Sequence, residues 1–226
     1  METSEYVKTG LTIALLLAII MMGSYIVDEI GVYFYETQKT QNKIFDIVHE
    51  LTPDLHQYED WVNFIPALIL VSFFILPNGF ILAKEFVGKL LLIWFLRALM
   101  LITTILPKHE KCNRRWTWKN CFNGQCYDKV FSGHTSLVFL AALLFYREGF
   151  LNGWGMIGMT AVEICIILLT RSHYTIDVVM ALLITYIVND GDYHVLGEFV
   201  QKIEQQFEKP IPLEIPSISL STGGDV

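Results

Sequence analysis

Charge is scarce in this chain. Lysine, arginine, aspartate and glutamate make up 17% of its 226 residues, where a soluble domain carries about a quarter. The shortage excludes an ordinary solvated surface, because the apolar residues gather into blocks near the roughly 20 residues that cross a bilayer. Positive charge is the scarcer sign, with 16 Lys and Arg against 23 Asp and Glu. A formal net charge of −7 excludes the basic stripe that a nucleic-acid partner requires. Internal repeats and low-complexity blocks are absent as well.

What is present is apolar, 53% of the residues. Six blocks stand out: about Lys8–Val27, Trp61–Leu82, Gly88–Leu106, Ser132–Tyr146, Gly153–Thr170 and Tyr174–Val188. They predict an all-α polytopic membrane protein, with six transmembrane helices in one bundle over residues 1–190. Residues 191–226 then form a cytosolic tail. Its first part carries Leu196, Phe199, Ile203 and Phe207 at helical spacing, and its Pro-, Ser- and Gly-containing end is expected to be disordered. The first block reads as an uncleaved helix: the flank Met1–Lys8 holds two glutamates against one lysine, and no small-x-small cleavage site follows Met22.

Two polar stretches interrupt this pattern, Phe131-Ser132-Gly133-His134-Thr135-Ser136 and Arg171-Ser172-His173-Tyr174-Thr175-Ile176-Asp177. Each places a histidine at the start of an apolar block. Two blocks separate the histidines, an even number of crossings, so both lie on one side of the membrane. The basic residues of the loop Pro107–Val130 would put that side in the cytosol by the positive-inside rule. Its crowded cysteines, Cys112, Cys121 and Cys126, favour an oxidising lumen instead. The lumen is preferred, since a basic loop beside a site for anions has its own reason to be basic. The same loop allows one disulfide with a free thiol, or zinc on His109, Cys112, Cys121 and Cys126, although no C-x-x-C occurs.

The residue types point to phosphoryl or acyl transfer. Asp177 lies four residues after His173, on the same helical face, and an acid one turn into a span is costly unless paired. Donation from His173 to Asp177 would fix the tautomer and leave the other ring nitrogen as nucleophile. Ser132 is a candidate N-cap, so the helix N-terminus carrying Gly133 and His134 would face an anion. Gly133 would let the backbone approach closely. Arg171 could grip a phosphate in bidentate fashion, or snorkel to the head groups. Arg97 and Glu163 lie at matching depth in the third and fifth blocks, which predicts a buried pair or a polar floor below the site. His49, His56, His109 and His194 fit no catalytic spacing and read as surface histidines. Ile44, Ile47, Val48 and Leu51 recur at helical spacing and predict a short surface helix on the histidine side.

Cys126-Tyr127-Asp128-x-x-Phe131-Ser132-Gly133-His134-Thr135 and His173-Tyr174-Thr175-x-Asp177-Val178 resemble the two signature motifs of the sphingomyelin synthase family, within the lipid phosphate phosphatase superfamily. Arg97 followed by Thr103-Thr104-Ile105-Leu106-Pro107 is similar to that family's third-span motif. Leu51-Thr52-Pro53-Asp54 is similar to its proline-aspartate motif. The resemblance covers about residues 50 to 190; Tyr127 departs from it, standing where the family usually has glycine. It implies a lipid phosphoryl-head-group transferase without metal or cofactor. His173 would attack phosphorus, Asp177 orient it, and His134 serve as general acid and base, with Arg171, Ser132, Gly133 and Arg97 binding substrate. The implied partners are a phospholipid donor such as phosphatidylcholine and a ceramide or diacylglycerol acceptor. The implied setting is the Golgi, endoplasmic reticulum or plasma membrane with a luminal or extracellular site, and a homodimer is compatible with it. Choline, ethanolamine and inositol head groups all suit the superfamily. The rival readings are a lipid phosphatase or phospholipase C passing the group to water, and a non-catalytic lipid-handling protein.

Overall fold

The computed structural model describes residues 21–37, 44–108, 112 and 125–190, together with 11, 14 and 18. Every regular element among these residues is helical, and none is a strand. Helix α1 includes residues 21–31 and runs on into a π-helical turn, Val32–Thr37. The short α2 is Ile47–Leu51, on the stretch where helical spacing predicted a surface helix. A 3-10 segment, His56–Asn63, leads directly into α3, Phe64–Ile75. Then follow α4 (Gly79–Thr103), α5 (Gly133–Arg147), α6 (Gly153–Leu169) and α7 (Thr175–Asp190). The expectations for the tail, and for His109, Cys121 and His194, fall outside the described residues.

Among the described residues, two helical segments are long and apolar enough to cross a membrane, His56–Ile75 with 20 residues and Gly79–Thr103 with 25. Helices α5, α6 and α7 have 15, 17 and 16 residues. At about 1.5 Å per residue they are shorter than a hydrocarbon core of roughly 30 Å.

The boundary between the second and third blocks differs from the expectation. Ala83–Val87, expected as a connecting loop, is helical and belongs to α4. The break comes earlier, at Leu76-Pro77-Asn78. Proline disfavours a helical residue before it, and Leu76 is extended (φ −71°, ψ 143°). Asn78 adopts the left-handed conformation (φ 57°), which asparagine tolerates. The turn is so tight that a Cβ on Gly79 would lie 2.1 Å from the Phe73 carbonyl oxygen. Hydropathy misses this break because the flanking residues on both sides are apolar.

Helix α5 lies at the centre, with Val138, Leu140, Ala141, Ala142 and Leu144 all fully buried. It packs against α3, α4 and α6. Phe73 of α3 joins Phe86 of α4 and Phe145 of α5, with ring centroids 5.0 and 5.6 Å away. The outer helices keep apolar faces uncovered: Phe74, Ile75, Phe80 and Ile81 are all largely exposed. Patches of this kind mark contact with something other than water. One end of the bundle is tied by charge. Glu85 accepts two bonds from Arg147, at 2.6 and 2.7 Å, and pairs with Lys89 at 2.9 Å. Lys89 also donates to the Asn189 carbonyl at 3.0 Å. At the other end meet the start of α3, the end of α4, the start of α5 and the turn from α6 to α7. The loop that precedes α5 is closed by a disulfide between Cys112 and Cys126.

Candidate active site

The turn from α6 to α7 is built by a hydrogen-bonded helix stop. The Ser172 N–H donates to the Ile167 carbonyl at 3.1 Å and the Arg171 N–H to the Leu168 carbonyl at 3.3 Å. This pairing ends helices with a left-handed residue, usually glycine. Here that residue is Arg171, at φ 60°. The stop delivers His173 to the mouth of α7. Its Nδ1 lies 3.1 Å from Asp177 Oδ2, and the same oxygen accepts from the Tyr174 N–H at 3.0 Å. Donation from Nδ1 leaves the Nε2 lone pair available. Burial, and the Lys129 ammonium nearby, hold the His173 imidazole well below its ordinary pKa. It is therefore neutral at neutral pH, the form a nucleophile needs.

The start of α5 supplies the second histidine. Ser132 caps the helix, its Oγ accepting from the Thr135 N–H at 3.2 Å. The Ser132 N–H donates to the Asp177 carbonyl at 3.3 Å, joining the two helix starts. His134 Nε2 is 3.1 Å from Asn63 Oδ1, at the entry to α3. At Gly133 a Cβ would approach no closer than 3.7 Å, to Arg97 Nε, so packing against protein does not demand glycine there. His134 and His173 line one small polar cavity with Glu59, Asn63, Asp128 and Lys129. The structure thus brings His134 and His173 to one place, with Asp177 behind His173.

Two other expectations are corrected. Arg171 does not reach into the cavity. It is buried, and its guanidinium donates to the carbonyls of His49 (2.7 Å), Thr52 (2.6 Å) and Leu168 (3.3 Å) and to Thr52 Oγ1 (3.0 Å). Those bonds occupy the donors that a phosphate would need. Arg97 is not paired with Glu163. Its Nη2 donates to Asp128 Oδ2 and its Nε to the Phe131 carbonyl at 3.2 Å. Both carboxyl oxygens of Glu163 are buried without a hydrogen-bond partner among the described residues. Matching depth along two helices says nothing about which faces meet, and that is where the depth estimate failed.

Sequence reasoning also missed several participants. Lys129, almost fully buried, lines the cavity and its Nζ donates to the Ser172 carbonyl. In the sequence it is one loop cation among several, distinguished only by lying five residues before His134. His49 and His56 are not incidental surface groups. His49 Nε2 is 3.1 Å from the His173 carbonyl oxygen, and His56 Nδ1 is 3.2 Å from that of Thr170. Tyr127 is fully buried against α1, where a Cβ on Gly31 would lie 2.3 Å from its ring. Tyr35 stacks on it with centroids 5.7 Å apart. The large side chain at position 127, in the loop before α5, is thus housed by a glycine on α1.

Residues 125–194 match a family model described as PAP2 superfamily C-terminal. The match spans both histidines, Asp177 and Lys129. It supports the lipid phosphate phosphatase superfamily, whose members are phosphatases or phosphotransferases. It fits an enzyme acting on phosphorus-containing groups of lipids, and with the apolar helices it weakly suggests a membrane setting. No curated protein matches the chain.

Proposed function

We propose that the chain is a lipid phosphoryl-head-group transferase of the sphingomyelin synthase type. The observation that carries this reading is one cavity lined by two histidines, with His173 Nδ1 held on Asp177 Oδ2 at 3.1 Å. His173 Nε2 attacks the phosphorus of a phospholipid such as phosphatidylcholine. The P–N bond forms as the bond to the diacylglycerol oxygen breaks, and His134 gives that oxygen a proton. His134 then takes the proton of an acceptor hydroxyl, from ceramide or diacylglycerol. The acceptor oxygen attacks phosphorus and releases His173. Asp177 steadies the charge that His173 gains. The cation facing the phosphate is Lys129 rather than Arg171, because the Arg171 donors are engaged elsewhere. Ser132, Gly133 and Arg97 set the floor: Ser132 fixes the helix start, Gly133 keeps side-chain bulk away, and Arg97 holds Asp128. The scheme calls on no metal or cofactor.

Residues 1–190 form one membrane domain in this reading, with the histidine end luminal or extracellular and the tail cytosolic. The uncovered apolar faces of α3 and α4 support contact with lipid. A second, wider cavity lies beside α1 and the end of α4, lined by Ile30, Phe34, Ile102 and Leu106 among others. Tyr174 reaches its wall, donating to the Pro107 carbonyl at 3.1 Å. An acyl chain suits such a lining.

The alternative is a lipid phosphatase or phospholipase C, using the same histidines with water as acceptor. One experiment separates them. Purified protein is given phosphatidylcholine labelled in the head group, with ceramide, with diacylglycerol, or with neither. Label moving to the lipid acceptor supports transfer; label released to water in every arm supports hydrolysis; label left on the donor removes both for this head group.

A further inference from the structure

The His173–Asp177 pair is short-range, four residues along one turn, yet the turn that carries it does not stand alone. Its support comes from residues 46–52, more than a hundred residues earlier. Asp46 is the N-cap of α2: its Oδ1 accepts from the N–H groups of Val48 and His49, each at 3.1 Å. The same carboxylate also caps α7. Oδ1 accepts from Thr175 Oγ1 at 2.8 Å and Oδ2 from the Thr175 N–H at 2.6 Å. Four donors thus converge on one buried side chain, and both helix starts share it.

The clasp continues on either side. His49, on α2, meets the His173 carbonyl through Nε2 at 3.1 Å, and its ring lies 5.6 Å from that of Tyr174. Arg171 grips the far end of α2 through the carbonyls of His49 and Thr52. The turn 171–175 is therefore held at Arg171, at the His173 carbonyl and at Thr175, all by one short helix. A five-residue helix is not stable alone; its capping carboxylate is where the two elements fix each other.

The geometry assigns Asp46 the part of a positioning residue for His173, acting through its shared cap on α2 and α7. The assignment rests on the reading of His173 as nucleophile. Asp46 touches no substrate in this scheme; it sets where the imidazole stands. Small misplacements of a reacting group cost rate more than binding.

The test uses Asp46→Ser. Serine is a good N-cap, so α2 keeps its cap, but the shorter side chain with one oxygen cannot also serve Thr175. The first readout needs no turnover: carbethoxylation of His173 by diethyl pyrocarbonate, followed by peptide mass spectrometry on the full-length protein in detergent. We expect His173 to react at least about fivefold faster in the variant, as the turn loosens. The second readout is kinetic, with labelled phosphatidylcholine: kcat lower by roughly a hundredfold, with KM within about twofold. Thr175→Val, which removes only the hydroxyl bond, should move both readouts in the same direction by less. If Asp46→Ser does not fold, Thr175→Val carries the test by itself. Unchanged His173 reactivity in the folded variants overturns the positioning role. Absence of turnover in the wild type, with His173 reactivity still raised in Asp46→Ser, overturns the proposed reaction and leaves the clasp standing.

Discussion

Arg97 on α4 and Asp128 in the loop before α5 form a buried ion pair, with Arg97 Nη2 donating to Asp128 Oδ2. A second bond from Arg97 Nε to the Phe131 carbonyl ties the end of α4 to the segment that presents His134. This cation of α4 thus holds the floor of the site in place.

Breaking one partner of a buried pair leaves an unpaired charge, at a cost of about 3–5 kcal/mol. Arg97→Leu and Asp128→Leu should each lower heat tolerance in detergent strongly. The double replacement should recover much of the loss, read as a coupling in a double-mutant cycle. Combining Arg97→Leu with Glu163→Leu should give simple addition. Strong coupling in that second cycle would restore the pairing expected from sequence.

Glu163 has both carboxyl oxygens buried and unpartnered among the described residues. A polar group in that state is a liability of about 1–3 kcal/mol. Glu163→Leu is expected to melt no lower than wild type, and Glu163→Met likewise. A drop of several degrees in either would mean that the carboxyl has a partner in the folded protein.

The catalytic assignments predict a graded series. His173→Ala should abolish turnover and any trapped phospho-enzyme. His134→Ala should stop turnover while leaving lipid binding largely intact. Asp177→Asn keeps the shape but loses the charge, and removing the orienting acid of a comparable triad costs about 10⁴ in kcat. A loss below about tenfold would reduce Asp177 to a structural role. Lys129→Met should raise KM for the phospholipid and lower kcat, which Lys129→Arg partly restores.

Two histidines predict the acid response of stability. Burial holds His49 below its ordinary pKa, with the Arg171 guanidinium adding to the effect, and His173 is held lower still. The unfolded chain therefore binds more protons than the native one once pH falls toward about 6.5. Stability should be full above that value and decline below it. His49→Gln keeps a donor for the His173 carbonyl and cannot titrate. Its melting temperature should fall less than that of wild type between about pH 7 and pH 5; parallel curves would remove His49 from the response.

The Cys112–Cys126 disulfide predicts the side on which the loop matures, since such bonds persist in oxidising compartments. A glycosylation acceptor introduced near Asn120 should be modified in microsomes, and one placed after Pro210 should not. The opposite pattern would favour the positive-inside count.

The helical class, the His173–Asp177 pair and the Ser132 cap were legible because each depends on the apolar pattern or on spacing along one turn. The partners of Arg97, Arg171 and His49 were not. Each contact joins elements far apart in the chain, and hydropathy carries no record of which helix faces meet. Lys129 was hidden for another reason: a buried lysine and a solvated one look alike until the fold closes over it. The break at Pro77 was readable in principle, because proline and a following asparagine mark a turn, yet the unbroken apolar run drew the boundary too late.

Arg171 makes incompatible demands of one position. Its backbone, at φ 60°, is where glycine costs least, while its side chain spans to His49 and Thr52, which glycine cannot do. Substitution by glycine gains backbone ease and loses the clasp; lysine keeps a charge but not the fork of donors; alanine loses on both counts. No encoded residue satisfies both demands, so a change at this one position disturbs the end of α6 and the seating of α2 together.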